Sequence, residues 1–181
     1  MKRANIGCGS IRPEGWSHFD IEGPFLHHDA AFWDVRKPLV FWVYDEERFD
    51  YAVAHHVLSA PDHHELVPAL RNIRAILKPG GTLRVSVPWV IGAFRALEAG
   101  DEEWFPQSDS TGRIDAKFCT YVTWFGTHRS VFTEKYLEAC LYNAKFVDVK
   151  LGDYRWSQAG LEGITDLDSR KGESIFMEAT A

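Results

Sequence analysis

The stretch from residue 66 to residue 87 constrains this chain more than any other. Leu66, Leu70, Ile73 and Leu77 recur at i, i+4, i+7 and i+11, which predicts one face of a helix. Lys78-Pro79-Gly80-Gly81 stops that helix, and residues 82–87 (TLRVSV) alternate polar and apolar as a strand does. Asp62 followed by Glu65 is a capping-box pattern, and Pro68 is compatible with a helix only in its first turn. Just upstream, residues 50–54 (DYAVA) form an apolar run, the mark of a strand buried on both faces. Strand, helix and strand in succession predict a mostly parallel α/β sheet.

The remaining elements extend that pattern. Ala4-Asn5-Ile6 runs directly into Gly7-Cys8-Gly9, a short strand broken by a glycine turn. Residues 17–21 (SHFDI) predict a second strand and residues 31–33 a short third one ending at Asp34. Residues 133–144 predict a helix capped by Thr133, and residues 146–151 and 174–179 two closing strands. A length of 181 residues favours a single domain, 1–181. Residues 89–130 and 152–172 lack clear periodicity. The first is expected to be an irregular insertion serving as a lid or acceptor-binding segment, because long irregular segments are usually functional or mobile.

Several function classes are disfavoured. A net charge of −6 gives no support for a broad phosphate-binding face. Three cysteines in no zinc-like spacing fit a reducing cytoplasm. The N-terminal MKRANIGCGS lacks the apolar core of a signal peptide, and no stretch approaches the ~18 apolar residues of a membrane span. Cytoplasmic location without a membrane partner is the expectation. His27-His28, His55-His56 and His63-His64 are adjacent pairs whose side chains point apart, so no metal site is expected.

The glycine turn carries the ligand argument. At the end of a parallel strand, it lies where open α/β sheets bind ligands, and glycine lets a ligand approach the main chain closely. A dinucleotide fingerprint wants a third small residue, where Arg12 stands, and an acid further along than Asp20. The segment between the first two strands is too short for a full helix. Asp20, at a strand end, can accept hydrogen bonds from two ribose hydroxyls, and Asp34 from an exocyclic adenine amine.

The segment NIGCGSIRPEGWSHFDI resembles the opening of small class I S-adenosylmethionine-dependent methyltransferases of the type 11-like kind with a short first helix. FDYAVAHHVL and LRNIRAILKPGGTLRVSVP are similar to their fourth strand, next helix and fifth strand; DVRKPLVF and LDSRKGESIFMEA also resemble this group. The resemblance implies a Rossmann-like, doubly wound, mostly parallel seven-stranded sheet with an antiparallel last strand and a shortened first helix. It implies S-adenosylmethionine as cofactor and S-adenosylhomocysteine as product. Gly7, Cys8 and Gly9 would bracket the methionine part, Asp20 would hold the ribose, and Ile21 would pack on the adenine. Asp34 and Val35 would meet the adenine edge, with His55 and His56 facing the methionine end. Ser59-Ala60 stands where such proteins often carry Glu-His.

The implied activity is methyl transfer to a small-molecule or glycan acceptor; the alternative is a non-catalytic module binding the same cofactor or another nucleoside. A nucleic-acid partner is not expected, since neither Asp/Asn-Pro-Pro-aromatic after the fourth strand nor a cytosine-type Pro-Cys pair is present. His56, after the fourth strand, and His128, ending the 89–130 segment, are the candidate catalytic residues, because imidazole titrates in the range a general base needs. Eight rings in that segment, among them Trp104, Phe105, Tyr121 and Trp124, either wall a substrate or simply pack. Acceptor identity and oligomeric state stay open.

Overall fold

The computed structural model describes residues 1–21, 29–39, 48–106 and 111–181. His27-His28 and part of the polar stretch after Pro106 lie outside the described residues. Among the described residues seven strands form one sheet: β1 Arg3–Ile6, β2 Ser17–Asp20, β3 Ala30–Phe32, β4 Phe49–His55, β5 Leu77–Pro88, β6 Val147–Leu151 and β7 Ser174–Thr180. Their order is β3-β2-β1-β4-β5-β7-β6. β1 to β5 are mutually parallel, and β7 runs antiparallel to both β5 and β6. This is the expected Rossmann-like, mostly parallel seven-stranded sheet with an antiparallel last strand. The described helices are α1 Leu66–Ala75, α2 Val90–Ala99, α3 Ile114–Thr123 and α4 Glu134–Asn143. None is long and apolar enough to cross a membrane.

Period-two alternation sends each central strand into two different environments. Ala52 and Ala54 of β4, with Leu83, Val85 and Val87 of β5, join the main core against Leu66, Leu70 and Ile73 of α1 and Leu137 and Leu141 of α4. Each large α1 side chain buried there contributes about 1.5–3 kcal/mol. Pro68 is the third residue of α1, so its missing N–H costs no helical hydrogen bond. The Glu65 carboxylate accepts the Asp62 N–H at 2.9 Å. The reciprocal half of the capping box is not made, because the Asp62 carboxylate pairs with Arg129 at 2.8 Å. Leu77 opens β5 rather than closing α1, and the Lys78–Gly81 break is absorbed as a register shift against β4.

The opposite face has another cover. Tyr51 and Val53 pack there with Trp16, Ile164 and Leu167, so the connection from β6 to β7 lies across the sheet. Arg84 is the anchor, only 1% exposed. Its Nε and Nη2 donate to the two Asp168 oxygens at 2.8 and 2.5 Å, and Nη1 donates to Glu178 at 2.8 Å. Nη1 and Nη2 also donate to the carbonyls of Trp156 and Asp153 at 3.1 and 2.8 Å. All five guanidinium protons are thereby used. Residues 7–16, between β1 and β2, form turns without a helix, as expected for a shortened first helix. Asn5 donates to Ile11 O at 2.8 Å, and Arg12 to Gly9 O at 2.7 Å.

The expectation of an irregular 89–130 segment is corrected by α2 and α3. Both start without a side-chain cap, at Trp89 and Arg113, so the usual start signal is missing. The VIGAFRALEA of α2 is apolar around most of its surface, which hides the helical period. Phe105 and Tyr121 bury themselves with Ala93 and Ala96, and Trp104 and Phe118 pack on them. These rings therefore build a satellite core. The segment is tied at both ends to the edge where β4 and β5 finish. At its start the Trp89 N–H donates to Glu173 O at 2.9 Å, as does Tyr121 Oη at 2.6 Å, and at its end Ser130 Oγ donates to Pro61 O at 2.7 Å. At the outer margin, β6 shifts register between Val147 and Lys150, with Asp148 in a left-handed conformation (φ 49°).

Candidate functional site

A cavity of about 290 Å³ opens at the carboxyl ends of β1, β2 and β4, the edge at which open α/β sheets hold ligands. Gly7 lines it where β1 turns. Its φ is 68°, and a Cβ built there would fall 2.3 Å from Val57 Cγ2, so any side chain would strain the backbone and displace Val57. The Gly7 and Cys8 N–H groups both donate to Phe19 O, at 2.8 and 3.1 Å, which ties the turn to the end of β2.

Asp20 completes that junction. Its Oδ2 accepts the Gly9 N–H at 2.7 Å and its Oδ1 accepts the Ile21 N–H at 2.8 Å. Each oxygen retains accepting capacity toward the cavity it lines. Cys8 Sγ lies 3.8 Å from Oδ2; burial, reinforced by the Asp20 charge, pushes the thiol pKa up. Cys8 and Gly9 do not line the cavity, and their contact is with Asp20. Ile21 and Val35 supply apolar wall.

Asp34 lines the same cavity, but its carboxylate is engaged. Arg36 Nε reaches both oxygens, at 2.9 and 3.1 Å, and Nη2 reaches Oδ2 at 2.8 Å. The Arg36 N–H adds a further bond at 3.0 Å. This pairing holds the Asp34 carboxyl below the usual carboxylate range. Trp33 Nε1 donates to Lys37 O at 3.0 Å, closing the turn that presents Arg36 to the cavity.

Two adjacent histidines form the wall beyond β4. His55 is bonded at Nδ1 to Ser86 Oγ and at Nε2 to Ser169 Oγ, the latter at 2.5 Å. Burial, with the positive field of Arg170 second, pulls its pKa down to about 4. His56 sits at φ 55° and bonds Ser174 Oγ through Nε2 at 2.7 Å. Burial, then His55, Arg170 and His128, hold it well below the ordinary imidazole value. Both rings are neutral at pH 7. His128 does not line the cavity: it stacks on Trp124 at 5.7 Å between ring centroids, half-buried, and its pKa is lowered chiefly by that burial. The cavity therefore unites Gly7, Asp20, Ile21, Asp34, Val35, His55 and His56, and leaves Cys8, Gly9 and His128 outside its wall.

Comparisons with known proteins bear on the fold. No protein-family model matches the sequence, and no curated protein matches it. Solved structures do. A SAM-dependent methyltransferase from Archaeoglobus fulgidus aligns over 99% of this chain and 86% of its own, with TM-score 0.59 and 15% identity. One from Thermotoga maritima, described as a possible histamine N-methyltransferase, aligns over 99% and 81%, with TM-score 0.60 and 16% identity. An S-adenosylmethionine-dependent methyltransferase from Mesorhizobium loti aligns over 99% and 90%, with TM-score 0.59 and 15% identity.

The chain has a class I methyltransferase fold.

Within this fold, several wall residues carried little sequence signal. Trp33, Arg36, Val57, Ala60 and Pro61 line the cavity. Arg36 is signalled only by standing two residues after Asp34, a spacing that suits a local ion pair. Ala60, at the Ser59-Ala60 departure, leaves room at the wall, while Ser59 O accepts the N–H groups of Arg129 and Ser130. The serines that fix His55 and His56 come from β5 and from residues 169 and 174, far apart in sequence. A larger cavity, about 650 Å³, opens at the opposite edge between Lys2, Trp16, Arg48 and Phe49. It holds none of the glycine-turn residues and lies at the strands' amino ends. Among the described residues, no group of three or more His, Cys, Asp or Glu is placed to hold a metal ion.

Proposed function

We propose that this chain binds S-adenosylmethionine in the cavity at the carboxyl edge of the sheet and transfers its methyl group to a small-molecule or glycan acceptor. The observation that carries the reading is Asp20, a strand-end carboxylate held by two N–H groups with lone pairs left over, beside the Gly7 turn, where a side chain would displace Val57. The wall chemistry fits an adenosyl group. Asp20 would accept the ribose hydroxyls, and Ile21 and Val35 would flank the adenine. Asp34 would meet the adenine edge together with Arg36, sharing its carboxylate. Gly7, with Cys8 and Gly9 supporting Asp20, would border the methionine part, and neutral His55 would offer that end no cationic repulsion.

The bound cofactor would supply an already activated methyl group, so the chain's own task is alignment and exclusion of water. Residues 89–130 would form the acceptor side as a lid, since both ends of the segment, at Trp89 and Ser130, are tied to this edge. His128 would act as base or orienting donor, with His56 second, its Nε2 being already engaged by Ser174. Cys8, Cys119 and Cys140 are all unpaired, in keeping with a cytoplasmic setting. The engagement of His56 Nε2 by Ser174, with His128 outside the cavity wall, favours a second reading, a non-catalytic adenosyl-binding module. Turnover of S-adenosylmethionine to S-adenosylhomocysteine across an acceptor panel separates the two.

The test is calorimetry with S-adenosylhomocysteine, S-adenosylmethionine and NAD, on the wild type and on Asp20→Ala. Both adenosyl ligands are expected to bind more tightly than NAD. The substitution is expected to weaken them by about one to two decades, the worth of ~1.5–3 kcal/mol of hydrogen bonding to a charged group. Tighter NAD binding, or unchanged affinity in folded Asp20→Ala, would end the proposal.

A further inference from the structure

The most unusual cation near the cavity is Arg170. It stands in the connection that crosses the sheet, next to Ser169, whose hydroxyl holds His55 Nε2 at 2.5 Å. Its backbone is left-handed, φ 57°, a conformation that non-glycine residues adopt at a cost and that tends to gather at functional positions. The guanidinium carbon sits 4.4 Å from the centre of the Trp124 ring, whose neighbour is His128, stacked at 17°. Its acidic contact is loose: Nη1 lies 3.9 Å from Glu173 Oε2, too far for a hydrogen bond. That Glu173 oxygen is itself buried without a hydrogen-bond partner among the described residues. The guanidinium thus sits over an indole while its N–H groups make no hydrogen bond among the described residues, and about a third of the side chain stays exposed.

The surroundings decide what such a fork can receive. His55, His56 and His128 all feel the Arg170 charge and are neutral, so they add no cation. Glu173 adds one nearby negative charge, which disfavours a dianion. Beside the guanidinium stands Trp124, whose own ring neighbour at 6.1 Å between centroids is Phe125, 71% exposed. A planar guanidinium matches a carboxylate through two parallel N–H···O bonds, and the adjoining rings match an apolar or aromatic body.

We infer that Arg170 is the anchor for a carboxylate on the acceptor, seated between Trp124 and the His55–His56 wall. The inference rests on the proposed methyl transfer and adds the substrate class: acceptors bearing one carboxylate and an apolar or aromatic body.

The test is calorimetry on the full chain with benzoate, its neutral counterpart benzamide, and phenyl phosphate, each with and without saturating S-adenosylhomocysteine. Benzoate is expected to bind the wild type more tightly than benzamide or phenyl phosphate. Arg170→Gln is expected to weaken benzoate about ten- to hundred-fold, with benzamide and S-adenosylhomocysteine unchanged. Arg170→Lys, which keeps the charge but loses the fork, is expected to fall between. No benzoate binding at millimolar concentration, equal binding of benzoate and benzamide, tighter phenyl phosphate, or full benzoate affinity in either variant would overturn the assignment. Failure of S-adenosylhomocysteine to bind would instead overturn the proposed function, and the arm without it reads Arg170 separately.

Discussion

Arg84→Met should be among the most damaging single changes in this protein. Methionine keeps most of the length and the apolar stem but removes a guanidinium whose five protons are all bonded. Asp168 and Glu178 are left buried without their cation. The backbone N–H of Arg155 still reaches Asp168 at 2.8 Å, and those of Gln158 and Ala159 still reach Glu178 at 3.0 Å each. Those bonds do not neutralise two carboxylates. Breaking one side of a buried ion pair costs about 3–5 kcal/mol, a large part of the ~5–15 kcal/mol by which domains are stable. Urea unfolding at pH 7, followed by circular dichroism, measures it as a lowered midpoint at constant slope. Adding Asp168→Asn and Glu178→Gln should recover much of the loss, because the orphaned charges go with the partner. A loss below about 1 kcal/mol would place Arg84 with ordinary surface ion pairs and refute the buried-anchor argument.

Further outcomes follow from other sites. Gly7→Ala should lose about 2 kcal/mol, from the left-handed backbone and the displacement of Val57, and should weaken S-adenosylhomocysteine binding; unfolding and calorimetry on one sample check both. Stability should be full above about pH 6.5 and fall as pH drops toward about 4. His55, held near 4 when folded, refuses a proton that the unfolded chain accepts, which amounts to ~3 kcal/mol across that window. His55→Asn should lessen the slope between about pH 6.5 and 4.5 without abolishing it, because His56 and His128 are lowered too, and an unchanged slope would count against a buried neutral imidazole at His55. His128→Ala should slow turnover of any accepted substrate by about two to four decades while sparing cofactor affinity, and full turnover would remove its proposed catalytic role.

The legible parts of this fold are those whose signal is local. α1 and α4 repeat apolar residues at helical spacing, and Thr133 caps α4 by accepting the Tyr136 N–H at 3.2 Å. Gly7, Asp20 and Asp34 announce themselves because strand ends and glycine turns are local features. What the sequence hides is settled across long separations. Arg84 and Ser86 read as the polar face of an alternating strand, yet both are buried, because residues 153–168 come back to meet Arg84 and His55 of β4 meets Ser86. Arg36 and Arg170 look like ordinary surface cations until Asp34 and Trp124 are seen beside them. In α2 Gly100 stops the helix at φ 69°, but nothing in the sequence marks the start.

The bend in β6 bears on how copies of this chain meet one another in concentrated solution. A sheet's outermost strand offers unpaired N–H and C=O groups that a neighbouring molecule can extend into a growing ladder. Here the strand is apolar enough to invite that, with Val147 52% and Leu151 60% exposed. Its left-handed Asp148 and broken register interrupt the row of groups before a stranger's backbone could match it. At the other margin β3 is three residues long, too short to template much. The sheet is thus guarded against self-assembly by irregularity at one border and brevity at the other.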